Sequence, residues 1–175
     1  MMVKPRDGGV VLTFEADEAG YLRNEVRHAI AHLDGGVPEH GVDPVRDRLF
    51  PRAYVDPTED RAERDFQSVV HDDLVLAKSV GLDAIATALD DGRERRGRTE
   101  VVVGATELEA WIGGLNDVRL VLGTTLGVTE DDNLDDGDGD DDTERDRVPV
   151  SIERAGYQWL TEIQGLLLAV LMGEA

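Results

Sequence analysis

The chemistry this chain could carry rests on a few polar side chains, among them four histidines, and on no cysteine at all. His28 and His32 stand four residues apart with Glu25 three before His28, a spacing that brings two imidazoles to one side of a helix and would suit a metal. No third ligand is identifiable, and Tyr21, Leu22, Val26 and Ile30 take the core face, so the pair reads as a solvated flank. The run DDGDGDDD at 135–142 superficially resembles a calcium loop. In the register that starts at Asp136, however, the required glycine falls on Asp141 and the bidentate glutamate on Arg147, so no specific calcium site is expected. His71, Asp72 and Asp73 form the remaining cluster, but adjacent helical residues diverge in direction and no nucleophile accompanies them. Neither a phosphate loop nor a dinucleotide fingerprint appears. The expectation is a protein that is not an enzyme, with no catalytic residue, metal or cofactor.

Recognition is the better prospect, and it centres on WIGGLNDVRLVLGTTLGVT at 111–129, where apolar residues run nearly all round a helix with Asn116 and Arg119 among them. Such a helix leaves few faces for water. An unpaired neutral amide costs roughly 2–7 kcal/mol in an apolar medium, so Asn116 and Arg119 are expected to be hydrogen-bonded inside the fold or at an interface. Arg119 should find a carboxylate, in this chain or in a partner, because a desolvated guanidinium needs one. Trp111 and Trp159 complete the interaction candidates, either as core side chains or as interface anchors. The Arg93, Arg95, Arg96 and Arg98 cluster in RERRGR reads as a loop between two elements that could meet nucleic acid or an acidic partner, or simply be a solvated turn.

Stepping along the chain, GVVLTF at 9–14 reads as a short strand leading into a helix whose apolar residues, Tyr21 to Leu33, recur at three and four. Asp34, Gly35 and Gly36 stop that helix, and a loop rich in Gly and Pro runs to Leu49, Phe50 and Pro51, with Leu49 and Phe50 packed on the core. Asp56 as N-cap, Pro57 and Glu59 open a long helix to about Leu89. Phe66, Val69, Val70, Leu74, Ala77, Val80, Ala84, Ile85 and Ala88 draw its apolar stripe, and Gly81 marks a bend or a close helix contact. TEVVV at 99–103 is a second short strand, expected to pair with the first, and Thr106 with Glu109 gives a capping box for the Trp111 helix. Gly113, Gly114 and Gly123 each cost about 1 kcal/mol relative to Ala in a helix interior, which points to close backbone approach by a neighbour. The run at 130–147, acidic and nearly without apolar residues, is expected to be a disordered insert. Ser151 then caps a last helix whose broad apolar face implies deep burial or a dimer seam.

These elements make a mainly α protein, a compact helical bundle with a small two-stranded β element, in one domain over 1–175. The absence of cysteine excludes disulfides, cysteine-ligated metals and thiol switching within these 175 residues. A net charge of −20 opposes a sequence-independent hold on DNA, so direct DNA binding is not expected. The most apolar run, 166–172, is far shorter than the roughly 20 residues that span a bilayer, and no secretory signal opens the sequence, so a cytoplasmic protein without membrane contact is expected.

The blocks LFPRAYVDP, FQSVVHDDLVLAKSVGLDAI, AWIGGLNDVRLVLGTTLGVTED and YQWLTEIQGLLLAVL together resemble an actinobacterial family of largely unknown function that includes the oxidative-stress transcription regulator AosR. LNDVRLVLG is the most specific part. The resemblance implies a mainly helical cytoplasmic protein, often a homodimer, that regulates transcription by contact with a sigma factor or RNA polymerase. It also implies genes near a ClpS-type proteolytic adaptor and a sulfur-transfer cysteine pathway. The AosR member uses a cysteine pair as a redox switch, which this sequence lacks. Two further expectations stand beside regulation by contact: an adaptor or partner in Clp-type proteolysis, with the acidic segment as a tether, and a purely structural dimer.

Overall fold

A computed structural model describes residues 1–6, 8–34, 43–128 and 147–174. In chain order the elements are strands β1 (Met2–Arg6) and β2 (Gly9–Glu15), helices α1 (Ala16–Asp34) and α2 (Pro44–Leu49), a 3-10 turn (Pro57–Glu59), helix α3 (Asp60–Asp90), strands β3 (Arg93–Arg95) and β4 (Arg98–Gly104), and helices α4 (Leu108–Thr125) and α5 (Arg147–Met172). The protein is mainly helical. The acidic run at 130–147 and its calcium-like part lie outside the described residues, except for Arg147, which opens α5.

The two strands read from sequence pair antiparallel, with Val10 opposite Val103 and Leu12 opposite Val101. The expectation of a two-stranded element is nevertheless corrected, because the sheet has four strands in the order β1-β2-β4-β3. Met-Val-Lys-Pro-Arg does not read as a strand, yet it adds to β2 at the sheet edge, where Pro5 can leave its missing donor outward. RERRGR is a hairpin instead of an open loop: Arg96 and Gly97 both take positive φ, 54° and 76°, as a tight primed turn requires, and β3 thereby pairs with β4. Val10, Leu12 and Phe14 of β2 with Thr99, Val101 and Val103 of β4 face inward onto α1, α3 and α5, following the period-2 alternation of strands.

Between α1 and α3, where the Gly- and Pro-rich composition predicts loop, the chain forms a short helix. Asp43 caps α2 by accepting from the amides of Val45 (3.0 Å) and Arg46 (3.1 Å), with Pro44 in the first helical turn. This sets Leu49 and Phe50 into the core as expected. Asp56 caps the 3-10 turn through Thr58, and α3 begins only at Asp60. Glu63, buried in the first turn of α3, accepts from the amides of Ala53 (3.0 Å) and Tyr54 (2.8 Å) and from the Gln67 side chain (2.8 Å), fastening the preceding loop to the helix. These bonds hold its carboxyl below the usual glutamate range, the Tyr54 amide contributing most.

Other local expectations are revised as well. The Thr106 and Glu109 capping box does not form; Glu107 precedes α4 and reaches back to the Gly104 amide at 2.8 Å. Helix α5 starts at Arg147, so Ser151 lies within it, and Pro149 occupies its first turn, where a missing N–H costs no intrahelical bond. The buried face of α3 is Gly81, Leu82, Ile85 and Leu89, whereas Phe66, Val69, Leu74 and Val80 of the predicted stripe remain exposed. The buried face is turned from the predicted stripe, and its apolar residues lie in the second half of the helix.

Candidate interaction site

Helix α4 is the hub of the bundle, in contact with α1, α2, α3 and α5. Trp111, Leu115, Val118 and Leu122 form its buried stripe, and Trp111, only 1% exposed, is a core side chain. The α3–α4 crossing is made by Gly81 and Gly114: a Cβ on Gly81 would fall 2.9 Å from the Ala110 carbonyl oxygen and 3.0 Å from the Gly114 nitrogen. Gly81 is thus the close helix contact anticipated from sequence. Gly123 lies against the Tyr157 ring, 3.0 Å from where its Cβ would stand.

Arg119 reaches from α4 to α5. Its guanidinium donates to Gln164 Oε1 at 2.6 Å and to the Tyr157 hydroxyl at 3.2 Å, and lies 5.0 Å from the centre of the Tyr157 ring. Gln164 in turn donates to the Ile112 carbonyl at 3.1 Å, closing a link back to α4. The expected carboxylate is replaced, within the described residues, by a neutral amide and a phenol. Tyr157 and Gln164 lie two turns apart on one face of α5, so both present themselves to the same side chain. Arg119 Nε is buried without a hydrogen-bond partner among the described residues.

The carboxylate of the LND motif is used elsewhere. Asp117, 4% exposed, accepts from Lys78 Nζ of α3 at 2.6 Å, an ion pair beside Phe50, whose ring centre is 5.8 Å from the ammonium. Burial pushes the Asp117 carboxyl up, and the Lys78 hydrogen bond and charge pull against it. Around the same ring, His71 lies 5.0 Å away by centroid, and Arg46 Nη2 is 3.1 Å from His71 Nε2. His71 therefore belongs to a packing cluster joining α2 to α3, and Asp72 and Asp73 point out to solvent. Sequence reading passed over Lys78 and Asp117. The available signal was spacing: Lys78 stands three residues before Gly81 and Asp117 three after Gly114, opposite charges at the same distance from the two glycines.

Asn116, expected inside the fold or at an interface, is exposed. With Glu109 and Gly113 it forms a side of α4 that no element of the described chain covers, on a helix expected to leave few faces for water. Trp159 is half-buried, packed edge-on to Phe14 and Tyr21 with ring centres 6.0 Å apart in both cases. Leu160, Ile163 and Leu167 beside it are buried, so this part of α5 closes the core. The hydroxyl of Tyr21 has no hydrogen-bond partner among the described residues, and burial, with Glu25 and Glu153, pushes its pKa up to about 12.

Of the arginine hairpin, Arg98 is paired with Glu15 at 2.8 Å, and nearby Arg23 bonds Asp90 and the Leu89 carbonyl. Arg93, Arg95 and Arg96 are exposed. The His28 and His32 rings lie 5.1 Å apart by centroid on α1, tilted 49° to one another. Among the described residues no three His, Asp or Glu side chains gather as a metal would require. Nor is any helix there long and apolar enough to cross a membrane.

Proteins named oxidative stress regulator AosR from Mycobacterium tuberculosis and Mycobacterium bovis are 28% identical over 157 residues, covering 82% of this chain. A putative oxidative stress regulator AosR from Mycobacterium leprae is 28% identical over 158 residues, again 82% of the chain. The chain spans 65% of the length of these relatives. No solved structure matches. Residues 2–171, covering all but the ends of the sequence, match the model of a domain of unknown function, DUF2017, and the chain belongs to that family.

Proposed function

We propose that the protein is a non-enzymatic, cytoplasmic transcription regulator that works by contact with a sigma factor or RNA polymerase and without a cysteine switch. The observation that carries this reading is the family relation to proteins named as oxidative stress regulators, which extends over most of the chain. The fold is compatible with such a role: α4 holds the bundle together, and one side of it faces outward with Asn116. The chain's charge of −20 favours approach to basic protein surfaces and opposes DNA, whose phosphates a regulator would have to neutralise. No thiol within these 175 residues can carry a stress signal.

The test is affinity capture of the tagged chain from its own cells under mild crosslinking, followed by mass spectrometry. Sigma factor or polymerase subunits are the expected catch. Clp components, or only a second copy of the chain, would overturn the reading in favour of an adaptor or a structural dimer.

A further inference from the structure

One long face of α3 is left open. Asp73, Ala77, Val80, Ala84, Thr87 and Asp91 recur at three and four residues and so share one side of the helix. Opposite them stand the first turns of α4 and β4 at Glu100, Val101 and Val102, and between lie two hollows of about 660 and 760 Å³ that meet at Val80. From Asp73 to Asp91 the trough runs for about 27 Å at 1.5 Å per residue, the length of an 18-residue helix. Its apolar residues are unusually accessible for their type, with Leu76 63%, Val80 54% and Val102 52% exposed. Its charged residues are mostly carboxylates: Asp73 and Glu109 along one part, Asp83, Asp91, Glu100 and Glu107 along the other, all exposed. Lys78 is already paired with Asp117, which leaves Arg93 at the far end as the cation of the trough.

Gly113 supplies an independent observation. Gly81 and Gly114 are glycine because their backbones touch, but a Cβ on Gly113 would meet nothing within 4 Å. Among the described residues nothing packs against position 113 to call for glycine, which in mid-helix costs about 1 kcal/mol relative to Ala. Gly113 lines the trough beside Asn116, where a bare backbone lets another helix come close.

We infer that the trough between α3, α4 and β4 is the docking site for a basic amphipathic helix of a partner protein. The partner's apolar residues at i, i+3/i+4 and i+7 lie on Leu76, Val80 and Val102, and its Lys or Arg residues reach the carboxylates on both sides. A second copy of this chain fits poorly, because it would bring another 20 negative charges to an acidic surface. The inference rests on the proposed contact regulation only for the partner's identity; the groove and its chemistry stand apart from it.

The probe is an 18-residue amphipathic peptide of Leu and Lys, titrated into the full 15N-labelled chain. Amide shifts are expected to move along 73–91 and 109–116, with affinity falling as NaCl rises. Gly113→Leu, which places a side chain in open space on the trough floor, should weaken binding at least tenfold while leaving amide shifts elsewhere unchanged. Asp83→Lys should weaken it and flatten the salt dependence. Shifts confined to other acidic parts of the chain, or equal affinity for wild type and both variants, would overturn the inference. So would trough shifts that depend on protein concentration without peptide, the mark of a second copy. Capture repeated with Gly113→Leu separates the two proposals. If wild type and variant both retain sigma factor or polymerase, the regulator reading stands and the trough is not its contact. If neither retains them but the peptide maps to the trough, the groove stands and the regulator reading fails.

Discussion

Gly81 and Gly114 touch backbone to backbone: a Cβ added to Gly114 would sit 2.7 Å from the Gly81 carbonyl oxygen and 2.8 Å from its carbon. The α3–α4 crossing is therefore set by two missing side chains, at the level of the hub helix, and not by interlocking large ones. Backbone cannot rotate aside as a side chain can, so this contact tolerates no addition.

Gly81→Ala and Gly114→Ala should each destabilise the protein by about 1–3 kcal/mol through overpacking, in spite of alanine's better helix propensity. Gly113→Ala, one residue away with open space around it, should stabilise by up to about 1 kcal/mol. Urea denaturation of the three variants checks both signs at once. Equal effects at 113 and 114 would contradict the crossing.

Lys78 and Asp117 form the mostly buried ion pair across the same two helices. Replacing Lys78 by Met alone strands a desolvated carboxylate and should cost about 3 kcal/mol; replacing Lys78 by Met together with Asp117 by Leu should recover most of it. A thermodynamic cycle from the single and double variants reads the coupling directly.

Arg119→Ala removes the charged donor shared by Gln164 and Tyr157 and should cost about 2 kcal/mol. Gln164→Leu should cost part of the same energy, and the double variant less than the sum, because the two residues form one link. Additive losses, measured by thermal or urea unfolding, would mean that α4 and α5 are joined independently at the two positions.

Glu63 should govern the acid response of the loop before α3. Its folded pKa lies below the unfolded value, so its contribution is present above the ordinary glutamate pKa and is lost as pH falls through the lowered folded value. In an NMR titration, the Ala53 and Tyr54 amide signals should share a midpoint below that of a free glutamate. Glu63→Gln should abolish the step.

Periodicity exposed much of this fold in the sequence, and its failures have physical causes. The β2 and β4 pairing, the first helix, the end of α3 and the importance of Gly81 were legible because alternation, stop residues and glycine each act locally. β1 was not, since Pro5 and its charged neighbours suit only an edge strand and the partner that admits them lies elsewhere in the chain. The RERRGR hairpin hid behind its charge, although Arg-Gly at its tip is a possible turn pair. Along α3 the apolar periodicity was real but its buried face was misplaced, since of Gly81, Leu82, Ile85 and Leu89 the predicted stripe held only Ile85, and its Ala77 and Val80 face outward. The same ambiguity affected LNDVR: Asn116, Asp117 and Arg119 all interrupt an apolar helix, and only the positions of Lys78 and Gln164 decide that Asp117 is paired inward, Arg119 is linked sideways to α5 and Asn116 is left to solvent.

The sequence contains two lysines, Lys4 and Lys78. With Lys78 held by Asp117 and Lys4 exposed on the edge strand β1, side-chain amine chemistry has one readily accessible address on this molecule. Reagents that acylate lysine should modify Lys4 first, and coupling through that amine would attach molecules to a sensor surface by the same strand. Modification of Lys78 would instead report that the α3–α4 crossing had opened, which makes lysine reactivity a direct gauge of how often the centre of the bundle breathes.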